Sequence, residues 1–409
     1  MGNYFTDIVF KVDVILLVLA AFLITAIFFS EITKIYFESR RIKKLQAIKK
    51  NVYRIVLTEK ELSKNDAISI KYCSLPIFLD VAANRVKEGV FFNEAEQRIF
   101  KKLCISEASV KKTLSVAARS LNKWRRIEAM LFLGYAGISE ASQILKKGLL
   151  SKDEDVSYFA SVALGQIKNM ESAKSLLEFL RKKPEFRYKT ASLLGQFPKD
   201  IAREVIKLAD DKDYSVRFWA PQIISGLNEQ YCIDKMKDLL KDKSPEVRAS
   251  ACQCLGVMGS ESCVDSLKKC LKDESWVVKE AAMDALDKIL GEGCIALVID
   301  LIKDNSWVVI DRLKKILAKN ISGALVYLQN FLTGDDELVK KISIEIIQTS
   351  GYVKNLYEDL LTSDAARKKA TSILKAMRAE NAKGLDLELY SFSPDKQRQI
   401  QEIVKLHGL

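Results

Sequence analysis

Apolar positions along this chain fall into blocks that return every 30 or 31 residues. Aligned on one anchor position, the blocks begin at Arg125, Val156, Phe186, Val216, Val247, Val278, Val309 and Val339. Four residues after the anchor most copies place a small residue: Ala129, Ala160, Thr190, Ala220, Ala251, Ala282. Eight residues after it they place an aliphatic one: Leu133, Leu164, Leu194, Ile224, Leu255, Leu286, Leu317, Ile347. Offsets of four and eight share one helical face, so each block opens with an amphipathic helix. Glycines at 134, 165, 195 and 256 then read as loosening the end of that helix. A second apolar cluster follows, such as Met236, Leu239 and Leu240, and predicts a second helix antiparallel to the first. A helical hairpin of this size leaves one apolar face open, so neighbours must stack. The expected fold is all-α: a right-handed α-solenoid of about eight two-helix repeats.

The polar positions keep the same beat. Asp211, Asp242, Asp273 and Asp304 each stand five residues before an anchor, and Arg217, Arg248 and Lys279 stand just after one. A carboxylate just before a helix can cap free N–H groups, and it can also meet a neighbouring repeat's basic residue. Residues 125–362 resemble HEAT-like repeats of the phycobilisome-lyase type. The resemblance rests on Asp242…Val247-Arg248-x-x-Ala251-x-x-x-Leu255-Gly256-x-x-Gly259 and on Arg125-Arg126-Ile127-Glu128-Ala129…Leu133-Gly134-x-x-Gly137. It implies HEAT-like units in which such charged residues staple adjacent repeats, and it says little about activity. The copies at 309 and 339 depart from it, with Ile310 for the basic residue, Leu313 and Ser343 for alanine, and no glycine. They read as a degenerate cap.

Trp276 and Trp307 are a further pair one period apart, each within Asp-x-Ser-Trp-Val-Val. Side by side on one edge, two exposed indoles would make an interaction hot spot; buried, they would be a packing ridge. Trp276, Trp307, Arg217, Arg248 and Lys279 are therefore the candidate partner surface.

Ahead of the repeats, Val14–Phe29 is apolar but for Thr25 and is bounded by Asp13 and Glu31. Extended by its flanks, residues 8–32 reach the length of one membrane span. Lys34, Arg40, Arg41, Lys43, Lys44, Lys49 and Lys50 follow it, while one lysine precedes it. That asymmetry predicts a signal-anchor over 1–32 with the N-terminus outside and the repeats cytoplasmic, at a cell membrane. A cleaved signal would carry its basic cluster before the apolar run instead. Residues 33–60 read as a basic juxtamembrane helix touching lipid headgroups, 61–122 as a helical N-terminal cap, 123–362 as the array and 363–409 as a C-terminal helical cap or tail. Helices are expected at Leu75–Asn84, Asn93–Leu103, Ser109–Leu121 and Ala365–Ala379, and from Ser393-Pro394-Asp395 onward. Leu385–Tyr390 alternates like a short strand.

Charge and chemistry narrow the function. Of the net +12, residues 31–60 supply +6, with nine basic and three acidic side chains. The body is thus close to balanced, which argues against a nucleic-acid groove along the array. The single histidine, His407, lies at the far C-terminus, so histidine-based acid–base or metal chemistry has little material. Eight cysteines form no ligand spacing and read as buried thiols in a reducing compartment. No cofactor, metal or catalytic residue is expected. The favoured function is a membrane-anchored cytoplasmic scaffold that binds protein partners of a membrane complex. The alternatives are a tetrapyrrole (bilin) lyase-like enzyme, implied by the resemblance, and a HEAT-like nucleic-acid-binding protein.

Overall fold

A computed structural model describes residues 107–380, 382 and 385–408. The anchor, the basic helix with Lys34, Arg40, Arg41, Lys43, Lys44, Lys49 and Lys50, and the expected helices at Leu75–Asn84 and Asn93–Leu103 lie outside them. No helix of the described residues is long and apolar enough to cross a membrane. Every regular element among them is helical. Two compact units divide at Leu176 and Leu177.

In the first unit, Glu107–Arg119 packs on Lys123–Tyr135, which packs on Glu154–Ile167; Ser142–Leu149 closes against the last of these. In the second unit the first helices of successive repeats run Arg187–Leu194, Trp219–Leu227, Pro245–Met258, Trp276–Leu290, Trp307–Lys319 and Glu337–Thr349, each packed on the next along most of the series. Shorter second helices lie between them, Ile233–Leu239 and Val264–Cys270 among them. The core follows the sequence register. Valine anchors from Val156 to Val339, the small residues Ala160, Ala220, Ala251 and Ala282, and the aliphatics eight residues after each anchor are all buried. Burying one such aliphatic is worth about 1.5–3 kcal/mol, which is what fixes the register.

Gly195 ends its helix as the sequence suggests, standing as the C-cap of Arg187–Leu194, but Gly134 and Gly256 do a different job. Gly134 and Gly256 lie inside their helices, where a Cβ would sit 2.5 Å from the Ala163 Cα and 2.7 Å from the Ala285 Cα, respectively. They permit close approach of consecutive first helices rather than ending one. Termination falls instead twelve residues after the anchor, where Gly137, Lys168, Asn228, Gly259 and Gly351 take φ between 49° and 72°. Lys168 is the one β-carbon-bearing residue there without the local hydrogen-bonding side chain that helps asparagine tolerate this region. Lys168→Gly is expected to stabilise the chain by about 0.5–1 kcal/mol, read as a higher urea midpoint.

Four further departures from the expected pattern stand out. Pro221 removes an amide from the fourth copy's first helix, which breaks at Phe218 into Tyr214–Arg217 and Trp219–Leu227. The copies at 309 and 339 are complete hairpins, closed by Ile321–Leu332 and Val353–Asp359. Beyond them Asp364–Ala379 repeats the register once more: Ser363 caps it, and Ala370 and Leu374 are buried at the expected offsets. Its Arg367 donates to the Leu360 and Thr362 carbonyls, much as Arg187 donates to those of Leu180 and Arg181. Leu385–Leu389 is a helix, not a strand, and Pro394–Leu406 forms the last helix.

Candidate interaction surface

The repeated charges build a ladder across the second unit. The Arg217 guanidinium grips both oxygens of Asp242, at 2.7 and 2.8 Å, and donates through its remaining nitrogen to the carbonyls of Asp211 and Lys212. Arg248 repeats this one period later, bidentate to Asp273 at 2.8 and 2.7 Å and bonded to the Asp242 and Lys243 carbonyls. Lys279 pairs with Asp304 in the next step. Arg181 meets Asp211 below, and Arg187 reaches Asp213 and Ser215. The ladder stops where Ile310 replaces its basic member.

Each ladder aspartate has a second duty. Asp211, Asp242, Asp273 and Asp304 accept the backbone N–H two residues on, from Asp213, Ser244, Ser275 and Ser306. Those later residues are the N-caps, so the ladder aspartates shape the turn and do not cap the helix themselves. The electrostatics agree. The Arg217 hydrogen bond holds the Asp242 carboxyl below its ordinary range against the opposing effect of burial. At Asp273 burial pushes upward, yet Arg248 and the Ser275 amide together still hold the carboxyl low. A planar guanidinium that ties one turn's carbonyls to the next turn's carboxylate makes a rigid joint. Of the five residues proposed for a partner, Arg217, Arg248 and Lys279 therefore have their charged ends engaged in staples, with side chains 10–18% exposed.

Trp276 and Trp307 are placed differently. Each is the first residue of its helix, directly after a stapled turn, with 46% and 76% of its surface exposed. Tyr214 holds the same register position two repeats before Trp276 and is 53% exposed. The two indoles share an edge, but neither ring contacts another aromatic ring among the described residues. They stand one repeat apart instead of stacking.

Two features escaped the sequence reading. A cleft of about 250 Å³ crosses three first helices, lined by Pro221, Gln222, Gln253, Val257, Asp284 and Lys288. Its floor is tied by the Gln222 amide, which donates to Gln253 and Ser250 at 3.2 Å, and by an Arg312–Asp284 pair. The 31-residue spacing of Gln222, Gln253 and Asp284 was the available signal. Tyr188, 74% exposed, meets the Trp219 ring edge-on at 6.2 Å. Cys252 and Cys254 are buried inside their helix, and burial pushes the Cys254 thiol up to about 12. Among the described residues no group of His, Cys, Asp or Glu could hold a metal ion.

Comparison with known proteins adds the family of the central repeats. Residues 233–318 match the HEAT-repeat family. No curated protein matches the chain. Among solved structures, an engineered protein covers 73% of this chain and 98% of its own, at 17% identity and a TM-score of 0.32. The complex of CpcE and CpcF of phycocyanin lyase from Nostoc sp. PCC7120 covers 65% and 94%, at 16% identity and a TM-score of 0.28. Kap95p, in a structure with RanGDP, covers 89% of this chain and 59% of its own, at 12% identity and a TM-score of 0.43.

Proposed function

We propose that this chain is a membrane-anchored scaffold that holds a protein partner of a membrane complex on the Trp276–Trp307 edge of its HEAT repeats. The observation that carries the reading is the exposure of two indoles in one register position, directly beside stapled turns. Large rings on a rigid frame lose little entropy on binding, which is why tryptophan dominates interface hot spots. The apolar segment 14–29 and its basic flank support anchoring, with the N-terminus outside and the repeats in the cytoplasm. The role is binding rather than catalysis, without cofactor and without nucleic acid.

The test is affinity capture with the detergent-solubilised full chain. The double variant Trp276→Ala, Trp307→Ala should keep the wild-type circular dichroism and lose the specific partner, each ring contributing about 2 kcal/mol or more. Identical partners for wild type and variant would refute the assignment of this edge.

A further inference from the structure

The exposed rings do not stand alone on their edge. Each is preceded, four residues earlier, by a lysine at or just past the end of the previous second helix: Lys272 before Trp276, Lys303 before Trp307, and Lys241 before Pro245 at the same register. Lys243 adds a fourth ammonium in the first of these turns. All four are exposed, and none has an ion-pair partner among the described residues. The staples hold the three turns side by side. Arg248 joins the Lys243 carbonyl to Asp273, and Lys279 reaches Asp304 from the helix that Trp276 opens.

The carboxylates of these turns are mostly spent. Asp242, Asp273 and Asp304 are neutralised by Arg217, Arg248 and Lys279. Glu246 accepts from the Ser244 hydroxyl, and Glu274 lies close enough to Arg248 to raise the basicity of its guanidinium. The ladder thus has a side effect: it neutralises three of the five carboxylates in these turns and leaves four lysines against Glu246 and Glu274. In the preceding turn Asp210, Asp211 and Asp213 are paired with Lys235, Arg181 and Arg187, and one lysine, Lys212, stands exposed there without a tryptophan after it.

We propose that this edge, Lys241, Lys243, Lys272, Trp276, Lys303 and Trp307, docks an acidic protein segment whose apolar side chains meet the indoles. The proposal rests on the reading of the edge as a protein-binding surface and names the chemistry of its partner. Charge complementarity asks for an anion, because four unpaired ammonium groups gain attraction from a carboxylate-rich segment at little desolvation cost. Shape selects a protein over a lipid bilayer. Trp276 keeps about half its surface covered and only Trp307 is mostly exposed, whereas membrane insertion needs rings that protrude together into the acyl boundary.

The experiment uses the full chain in neutral detergent and a labelled synthetic peptide that alternates glutamate with leucine and phenylalanine, followed by fluorescence anisotropy. Binding should exceed that of the same peptide with lysine in place of glutamate. Lys272→Glu with Lys303→Glu should weaken it at least tenfold, roughly what loss of two steering charges does at low salt. Affinity should fall as ionic strength rises from 0.01 to 0.15 M, where the screening length shortens from about 30 to about 8 Å. Equal binding of both peptides, or no effect of the lysine substitutions, would overturn the proposal. So would phosphatidylglycerol vesicles that bind through these lysines while the peptide does not. The two readings fail separately. Partner capture lost with the tryptophan variant but kept with the lysine variant leaves the edge standing and removes its acidic partner; capture unchanged by both removes the edge itself.

Discussion

Arg248→Ala is expected to lower the stability of the chain by about 3 kcal/mol, more than any exposed ion pair in the molecule contributes. The side chain is about 10% exposed and makes four hydrogen bonds that span two turns. Its removal leaves Asp273 as a half-buried carboxylate without its cation and frees the carbonyls of Asp242 and Lys243. Exposed pairs such as Lys182–Glu178 offer a contrast, since their loss should fall within about 0.5 kcal/mol. Urea unfolding of both variants measures the difference. The companion variant Arg248→Met with Asp273→Leu should cost less than Arg248→Ala alone, because no charge is left uncompensated.

The same joint sets a pH dependence. The Asp242 and Asp273 carboxyls are held low in the folded chain, so both states are ionised well above the ordinary aspartate value and the staples contribute in full there. As pH falls below about 4, the unfolded state takes up protons before the folded one does, and the contribution is lost through the depressed folded values. The arginines remain charged throughout. Stability should therefore drop on acidification in wild type and drop less steeply in the Arg248→Met, Asp273→Leu variant.

Gly256→Val is expected to cost about 3 kcal/mol, and Gly256→Ala about 2, although helix propensity alone favours alanine over glycine by about 1 kcal/mol. The sign reverses because the new Cβ would lie 2.7 Å from the Ala285 Cα and 2.9 Å from its Cβ. Backbone blocks the space, so the two first helices must separate, and the well-packed layer beneath them loses contacts. Ala285→Gly placed with Gly256→Ala should recover part of the loss. A stabilised Gly256→Ala variant would mean that this helix pair is looser than the geometry requires.

Much of the fold was legible because burial repeats with the sequence. The positions zero, four and eight residues after each anchor face the core in nearly every copy, so their pattern encodes the helix face directly. The charged ladder was legible as a staple but not in its details, since a carboxylate before a helix can serve either a turn or a cap. Ser244, two residues beyond Asp242, turned out to be the cap. Leu385–Tyr390 misled for a different reason. Leu385 and Leu389 are buried while Leu387 is exposed, so the helical spacing of four is the real one. Three leucines at steps of two contain both periods, and so short a run cannot separate them. The unit opened by Asp364 was hidden because its anchor position, Ala366, stands 27 residues after Val339 in place of 30 or 31. The burial of Ala370 and Leu374 and the hydrogen bonds of Arg367 reveal its register.

The interaction edge was half legible. The tryptophan spacing was visible, whereas exposure depends on what each neighbouring turn covers. The lysines one turn earlier gained meaning only when the aspartates between them were found neutralised.

The central claim is that the Trp276–Trp307 edge meets a protein, and site-specific photocrosslinking in cells tests it most directly. A photoreactive residue at Asn305, exposed between Lys303 and Trp307, should yield one discrete protein adduct. The same residue at Val326, 56% exposed on the second helix of that repeat, should yield none, and Lys272→Glu with Lys303→Glu should abolish the adduct from position 305. No adduct from position 305, or the same adduct from positions 305 and 326, would contradict the account.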